Sequence, residues 1–125
     1  MSSDQYVTLQ RLLKAQRWEE ALAQVDALLE ANPFAAQLHL LRGQLIQLQD
    51  ENTPYALEDA EKAFQRAVEL DTTYFDGLVE LMHFYDAVCP DTPKAVAYAK
   101  QIKALAQKAL AEARSILDEQ VETHA

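Results

Sequence analysis

Three side chains that could do chemistry stand close together in this chain: His83, Asp86 and Cys89. At a spacing of three on a helix, His83 and Asp86 share a face, and a thiol near an imidazole is the beginning of a nucleophile and its base. The rest of such a site is missing. A catalytic cysteine needs an oxyanion hole, and there is no glycine-rich turn to build one, because the glycines are Gly43 and Gly77 alone. Zinc asks for three or four converging ligands, but His39 lies far up the chain and His124 next to its last residue. Cys89 reads more simply as a small apolar residue at a helix end. The expectation is therefore no enzyme, no metal site and no cofactor.

The remaining conspicuous residues have structural readings. Glu19-Glu20 and Glu58-Asp59 look like paired catalytic acids, but each pair falls in the first turn of an expected helix, where it meets the positive end of the helix dipole. Arg11, Lys14 and Arg17 form a basic stripe with no aromatic residues between them, a solvated face rather than a nucleic-acid reader. Trp18, at the start of a helix, is expected to pack between helices.

The elements that must carry these residues are helical. The 125 residues suit one domain, and abundant alanine, leucine, glutamine and glutamate with few glycines and prolines favour helix over sheet. The opening MSSDQYVTL lacks the basic start and apolar run of a secretory signal, and no stretch is apolar enough to span a membrane. A single cysteine fits a reducing compartment, so a cytoplasmic protein is expected. The formal charge of −9 disfavours nucleic acid and anionic membranes as partners.

Two stretches, NTPYALEDAEKAF and DTPKAVAYAKQIK, begin alike, with Pro54 and Pro93 separated by 39 residues. The same shift lays Trp18–Ala21 (WEEA) on Leu57–Ala60 (LEDA) and Val25 on Phe64, and a period of this size signals stacked supersecondary units. Apolar residues recur at helical spacing within each unit, as in Ala60, Ala63, Phe64 and Ala67. Helices are expected near residues 4–15, 18–31, 35–49, 54–70, 74–88 and 93–119. Thr53 and Thr92, each followed by proline, are expected to be N-caps.

These residues resemble the tetratricopeptide repeat family. Ala21, Val25, Leu28 and Pro33 in one second helix, and Ala60, Phe64 and Ala67 in the next, fall on its pattern, with Gly43 in its small slot and Ile46 after it. Thr72, Met82 and Lys103 depart from the pattern. The resemblance implies an all-α fold of about three stacked antiparallel helix hairpins, an α-solenoid with a long C-terminal helix. The units would be 2–34, 35–73 and 74–120, followed by a frayed tail at 121–125.

It also implies that the first helix of each hairpin lines a partner-binding groove. Turning the core stripe about each helix gives Tyr6, Gln10 and Leu13 from the first unit, and Gln37, Leu40, Gln44 and Gln47 from the second. The third contributes Asp76, Val79, His83 and Asp86. Asp76 and Glu80 stand where a clamp for acidic chaperone tails would need positive charge. Between residues 51 and 90 nine acidic residues face two basic ones, which would draw a polypeptide with a basic or amphipathic segment. The expected function is a non-enzymatic protein-protein interaction module, an adaptor or small chaperone. Its alternatives are an inhibitor or immunity protein covering a basic toxin, and an oligomeric assembly subunit that self-associates through the last helix.

Overall fold

A computed structural model describes residues 3–124, and among them every regular element is helical. The elements are α1 (Ser3–Lys14), α2 (Trp18–Ala31), α3 (Ala36–Gln47), α4 (Leu57–Leu70), α5 (Phe75–His83), a π-helical segment (Phe84–Val88) and α6 (Thr92–His124). The chain divides into two compact units, one reaching to Gly77 and the other starting at Leu78.

In the first unit each helix packs on its neighbour in sequence, α1 on α2, α2 on α3 and α3 on α4. The turn from α1 to α2 is a Schellman closure: Arg17 N–H donates to the Leu12 carbonyl and Gln16 N–H to that of Leu13. Gln16 takes the left-handed position this requires, with φ of 57°. Along α2, Ala21, Leu22, Val25 and Leu28 are buried, the one-sided stripe that 3.6-residue periodicity predicts. On α4 the buried set is Ala60, Ala63, Phe64 and Ala67. Three alanines let α3 lie close, and Phe64 fills the space between the helices with none of its surface exposed. Gly43 makes that possible, because a Cβ at this position would stand 2.5 Å from Cε1 of Phe64.

α4 starts later than the threonine-proline signal implies. Thr53 does not cap it; its Oγ1 accepts the Tyr55 N–H at 3.4 Å in a local turn. The chain stays out of the helix through Ala56, which is extended, and the first helical turn is held by Asp59, whose Oδ2 accepts the Ala56 N–H at 2.9 Å. Tyr55 explains the delay: its hydroxyl donates to Asp26 on α2 at 3.3 Å, and its ring lies under the Arg42 guanidinium, 5.5 Å from the centroid. Tertiary anchoring of Tyr55 overrides the local start signal. At the second site the cap also belongs to another residue. Asp91 Oδ1 accepts the Lys94 N–H at 3.2 Å, so Thr92 and Pro93 are the first residues of α6.

The second unit holds a further departure. The expected helix over 74–88 is α-helical only to His83, after which the Phe84 carbonyl accepts the Cys89 N–H and the Tyr85 carbonyl the Asp91 N–H, both at 2.8 Å. A wider turn brings successive side chains closer to one direction, and Phe84 and Tyr85 are both buried. They meet edge to face at 5.4 Å, and Tyr85 stacks on Tyr98 of α6 at 6.0 Å. α6 runs on past Glu119 to His124; Ala125, the last residue of the expected tail, lies outside the described residues, as does Ser2 at the start of the first expected unit.

Gly43→Ala is expected to destabilise the chain by about 1–3 kcal/mol through overpacking against Phe64, read as a lower urea midpoint. Asp91→Ala is expected to cost about 0.5–2 kcal/mol by removing the cap, whereas Thr92→Ala leaves that hydrogen bond intact; equal urea midpoints for the two variants would contradict the assignment.

Candidate functional site

α1 and α3 of the first unit bound a cleft of about 330 Å³. Tyr6, Gln10 and Leu13 come from α1 and Gln37 from α3, four of the residues expected to line a groove, and Leu9, Asn32, Ala35, Leu38 and Leu41 complete the wall. Positions three and four apart stand on one helix face, which is why Tyr6, Gln10 and Leu13 open together. The lining is apolar at its base and carries amides at its rim. Such groups can hold a backbone by donating and accepting hydrogen bonds while apolar side chains settle beneath them.

Leu40 is not part of this cleft. It lies in the core at 6% exposure, and Leu41, one residue or about 100° further round the helix, lines the wall in its place. Gln44 and Gln47, further along α3, are half-buried and lie outside the wall of the cleft. Asp76 is exposed in the first turn of α5. Val79 is half-buried and His83 and Asp86 are exposed, and all three belong to the second unit. His83 closes α5, Asp86 sits in the π segment and Cys89 follows it. The wider π turn loosens the face-sharing that a regular helix would give His83 and Asp86. Among the described residues no group of three or more His, Cys, Asp or Glu converges in a way that could hold a metal ion.

Charge is distributed unevenly around the first unit. Beside the cleft, Arg11 and Lys14 share a shallow depression on α1 with Val7, Gln10 and Leu13. Near the end of the unit the carboxylates dominate. The Tyr74 phenol is held above its ordinary value by burial first and then by the negative charges of Asp76 and Asp71.

A second cavity, of about 640 Å³, was not foreseen from the sequence. α2 forms one wall with Glu19, Asp26 and Glu30, and the segment from Gln49 to Tyr55 forms the other. Asp26 accepts from Arg42 Nε at 2.8 Å as well as from Tyr55, and Gln49 Nε2 donates to the carbonyls of Trp18 and Leu45. Trp18, half-buried, thus contributes its backbone to holding this segment. The signal in the sequence was the extra length between α3 and α4, but it did not say where those residues fold.

No family model matches the chain, nor does any curated protein or solved structure. Among the described residues no helix is long and apolar enough to cross a membrane.

Because the folded-state value of Tyr74 lies above the unfolded one, the stability linked to it is fully present below about pH 10 and is lost as pH rises through the folded-state value. In a phenolate absorbance titration, Tyr74→Phe is expected to remove a step lying above the ordinary phenol range. Asp76→Asn is expected to lower that step only partly, since burial is its larger cause.

Proposed function

We propose that this chain is a non-enzymatic, tetratricopeptide-like binding module that holds a segment of another polypeptide in the cleft between α1 and α3. The observation that carries this reading is the convergence of Tyr6, Gln10, Leu13 and Gln37 on one concave surface. An apolar floor with a few amides at the rim is the composition of a recognition groove. In the repeat-stack reading, the first helices of successive hairpins supply such a surface, as they do in the family the sequence resembles.

The bound segment is apolar where it meets Leu13 and Leu41 and basic where it meets Asp71 and Asp76 of the same unit. Asp71 and Asp76 already act together on Tyr74, which supports a field that draws a lysine- or arginine-bearing partner. Exposed charges of this kind govern the association rate more than the dissociation rate. An adaptor or small chaperone uses such a groove directly. An inhibitor of a basic toxin would instead rely on the acidic surface.

Capture of partners from native lysate by the parent chain, followed by mass spectrometry, tests the reading. Gln10→Glu with Gln37→Arg changes exposed cleft positions and is expected to lower retention of the captured polypeptide at least tenfold, about 1.4 kcal/mol, while Gln107→Glu on α6 leaves it unchanged. Equal retention by all three proteins would remove the cleft from the function. With the partner identified, Asp71→Asn with Asp76→Asn, both in the first unit, is expected to slow association at low salt, the difference shrinking as screening sets in over about 10 Å at 0.1 M.

A further inference from the structure

The cleft between α1 and α3 continues past its rim onto the outside of α1. Gln10 and Leu13, which line it, also belong to the shallow depression formed with Val7, Arg11 and Lys14. At about 100° per residue, Leu13, Gln10, Lys14 and Arg11 follow one another round that helix, so a chain leaving the cleft past Gln10 crosses Lys14 first and Arg11 next. Val7, 42% exposed, falls between the two cations on the helical wheel and gives the crossing an apolar base.

Arg11 and Lys14 are exposed, and neither forms an ion pair among the described residues, whereas Arg17, Arg42, Arg66 and Lys94 each have a carboxylate. α1 itself offers none nearby, because its one acidic residue, Asp4, stands in its first turn. The negative end of the helix dipole favours cations in the last turn, but it does so on every side of the helix. Here both stand on the arc that leads out of the cleft, in a chain whose formal charge is −9. An unpaired positive edge joined to an apolar cleft is complementary to a carboxylate that arrives attached to an apolar group.

We propose that the segment held in the cleft carries an aspartate or glutamate close to its apolar anchor, and that this carboxylate seats on Arg11 and Lys14 as the segment crosses α1. The proposal rests on the cleft as the binding site and adds the sign of the charge beside the anchor. Leu9, Leu13, Leu38 and Leu41 form the floor for the apolar side chain. Gln10, common to the cleft and the depression, meets the backbone between anchor and acid. Arg11 offers a planar fork that grips both carboxylate oxygens, and Lys14 a single mobile ammonium. A segment of mixed sign satisfies this edge and Asp71 and Asp76 alike. Nucleic acid would bring phosphates to the same cations, but it finds no aromatic side chain between them on which a base could stack, and the net negative charge repels it.

The test is selection of a displayed library of random segments on the immobilised full chain, each about twelve residues long and so able, at roughly 3.3 Å per residue, to span the cleft and the outside of α1. Recovered segments are expected to pair a large apolar residue with Asp or Glu within about four positions, roughly the width of a helix. The acidic residue is expected there about threefold more often than in the unselected library, the worth of one exposed ion pair. Arg11→Gln with Lys14→Gln is expected to abolish the acidic preference, to keep the apolar one, and to bind a synthetic copy of a recovered segment about three- to tenfold more weakly in fluorescence anisotropy at low salt. Arg11→Lys with Lys14→Arg is expected to retain the preference. So is Lys100→Gln with Lys103→Gln, which removes the same charge from α6. All four positions are exposed, and each variant's urea midpoint is expected to match the parent's. Apolar enrichment without the acidic preference, a basic preference in its place, or an acidic preference that survives Arg11→Gln with Lys14→Gln would overturn the proposal and leave the cleft as the binding site. Failure to enrich any segment over the chain bearing Gln10→Glu with Gln37→Arg would remove the cleft and the proposal together. Binding of a labelled single strand of about 20 nucleotides at physiological salt, lost with the glutamine pair, would assign the edge to nucleic acid and overturn the proposal too. Selection on the parent is decisive by itself, so the test holds even if a variant fails to fold.

Discussion

The first unit depends on one close contact, the ring of Phe64 against the bare Cα of Gly43. A glycine in mid-helix costs about 1 kcal/mol relative to alanine, and here that cost is offset by letting α4 lie against α3 with a fully buried aromatic ring between them. With α4 seated on one side of α3, the side bearing Gln37 and Leu41 turns to α1, where the cleft forms. No charged or polar side chain is buried among the described residues. Helix order in the first unit is therefore set by shape and volume rather than by buried hydrogen bonds.

The helices were legible because apolar periodicity acts over whole segments. The stripe of Ala60, Ala63, Phe64 and Ala67 can face the core in only one way, and it does. The helix starts were less legible, since each rests on a single hydrogen bond for which several nearby residues compete. Asp91 lies one position ahead of Thr92 and takes the capping role with a carboxylate. Tyr55 is held by Asp26, 29 residues away in sequence, a constraint no local pattern contains. The π segment escaped for a similar reason: Phe84 and Tyr85 are adjacent, and only the requirement to bury both, one of them against Tyr98, favours the wider turn.

Four of the nine residues lining the candidate cleft were legible by turning the core stripe about the helix, which fixes a face to about one residue. That sufficed on α1, where Tyr6, Gln10 and Leu13 all open to the cleft, and for Gln37 on α3, but one turn further along α3 it is Leu41 rather than Leu40 that lines the wall. The cavity beside α2 was not legible at all. Its outer wall is an irregular segment positioned by Gln49 and Tyr55 through contacts distant in sequence.

The succession of neighbours in the first unit, each helix on the next, also shapes how the chain acquires its structure. Contacts between consecutive helices close short loops, and proteins dominated by them fold in microseconds to milliseconds. The pair joined through Phe64 and Gly43 is the natural nucleus: it brings the amphipathic α4 against α3 around the largest fully buried side chain of the first unit. α2 and then α1 can add to it one at a time, so the unit opens most readily from its α1 end. The cleft, with one wall made by that last-added helix, is consequently the part of the unit most easily loosened, and a ligand seated in it tightens the end where the structure is weakest.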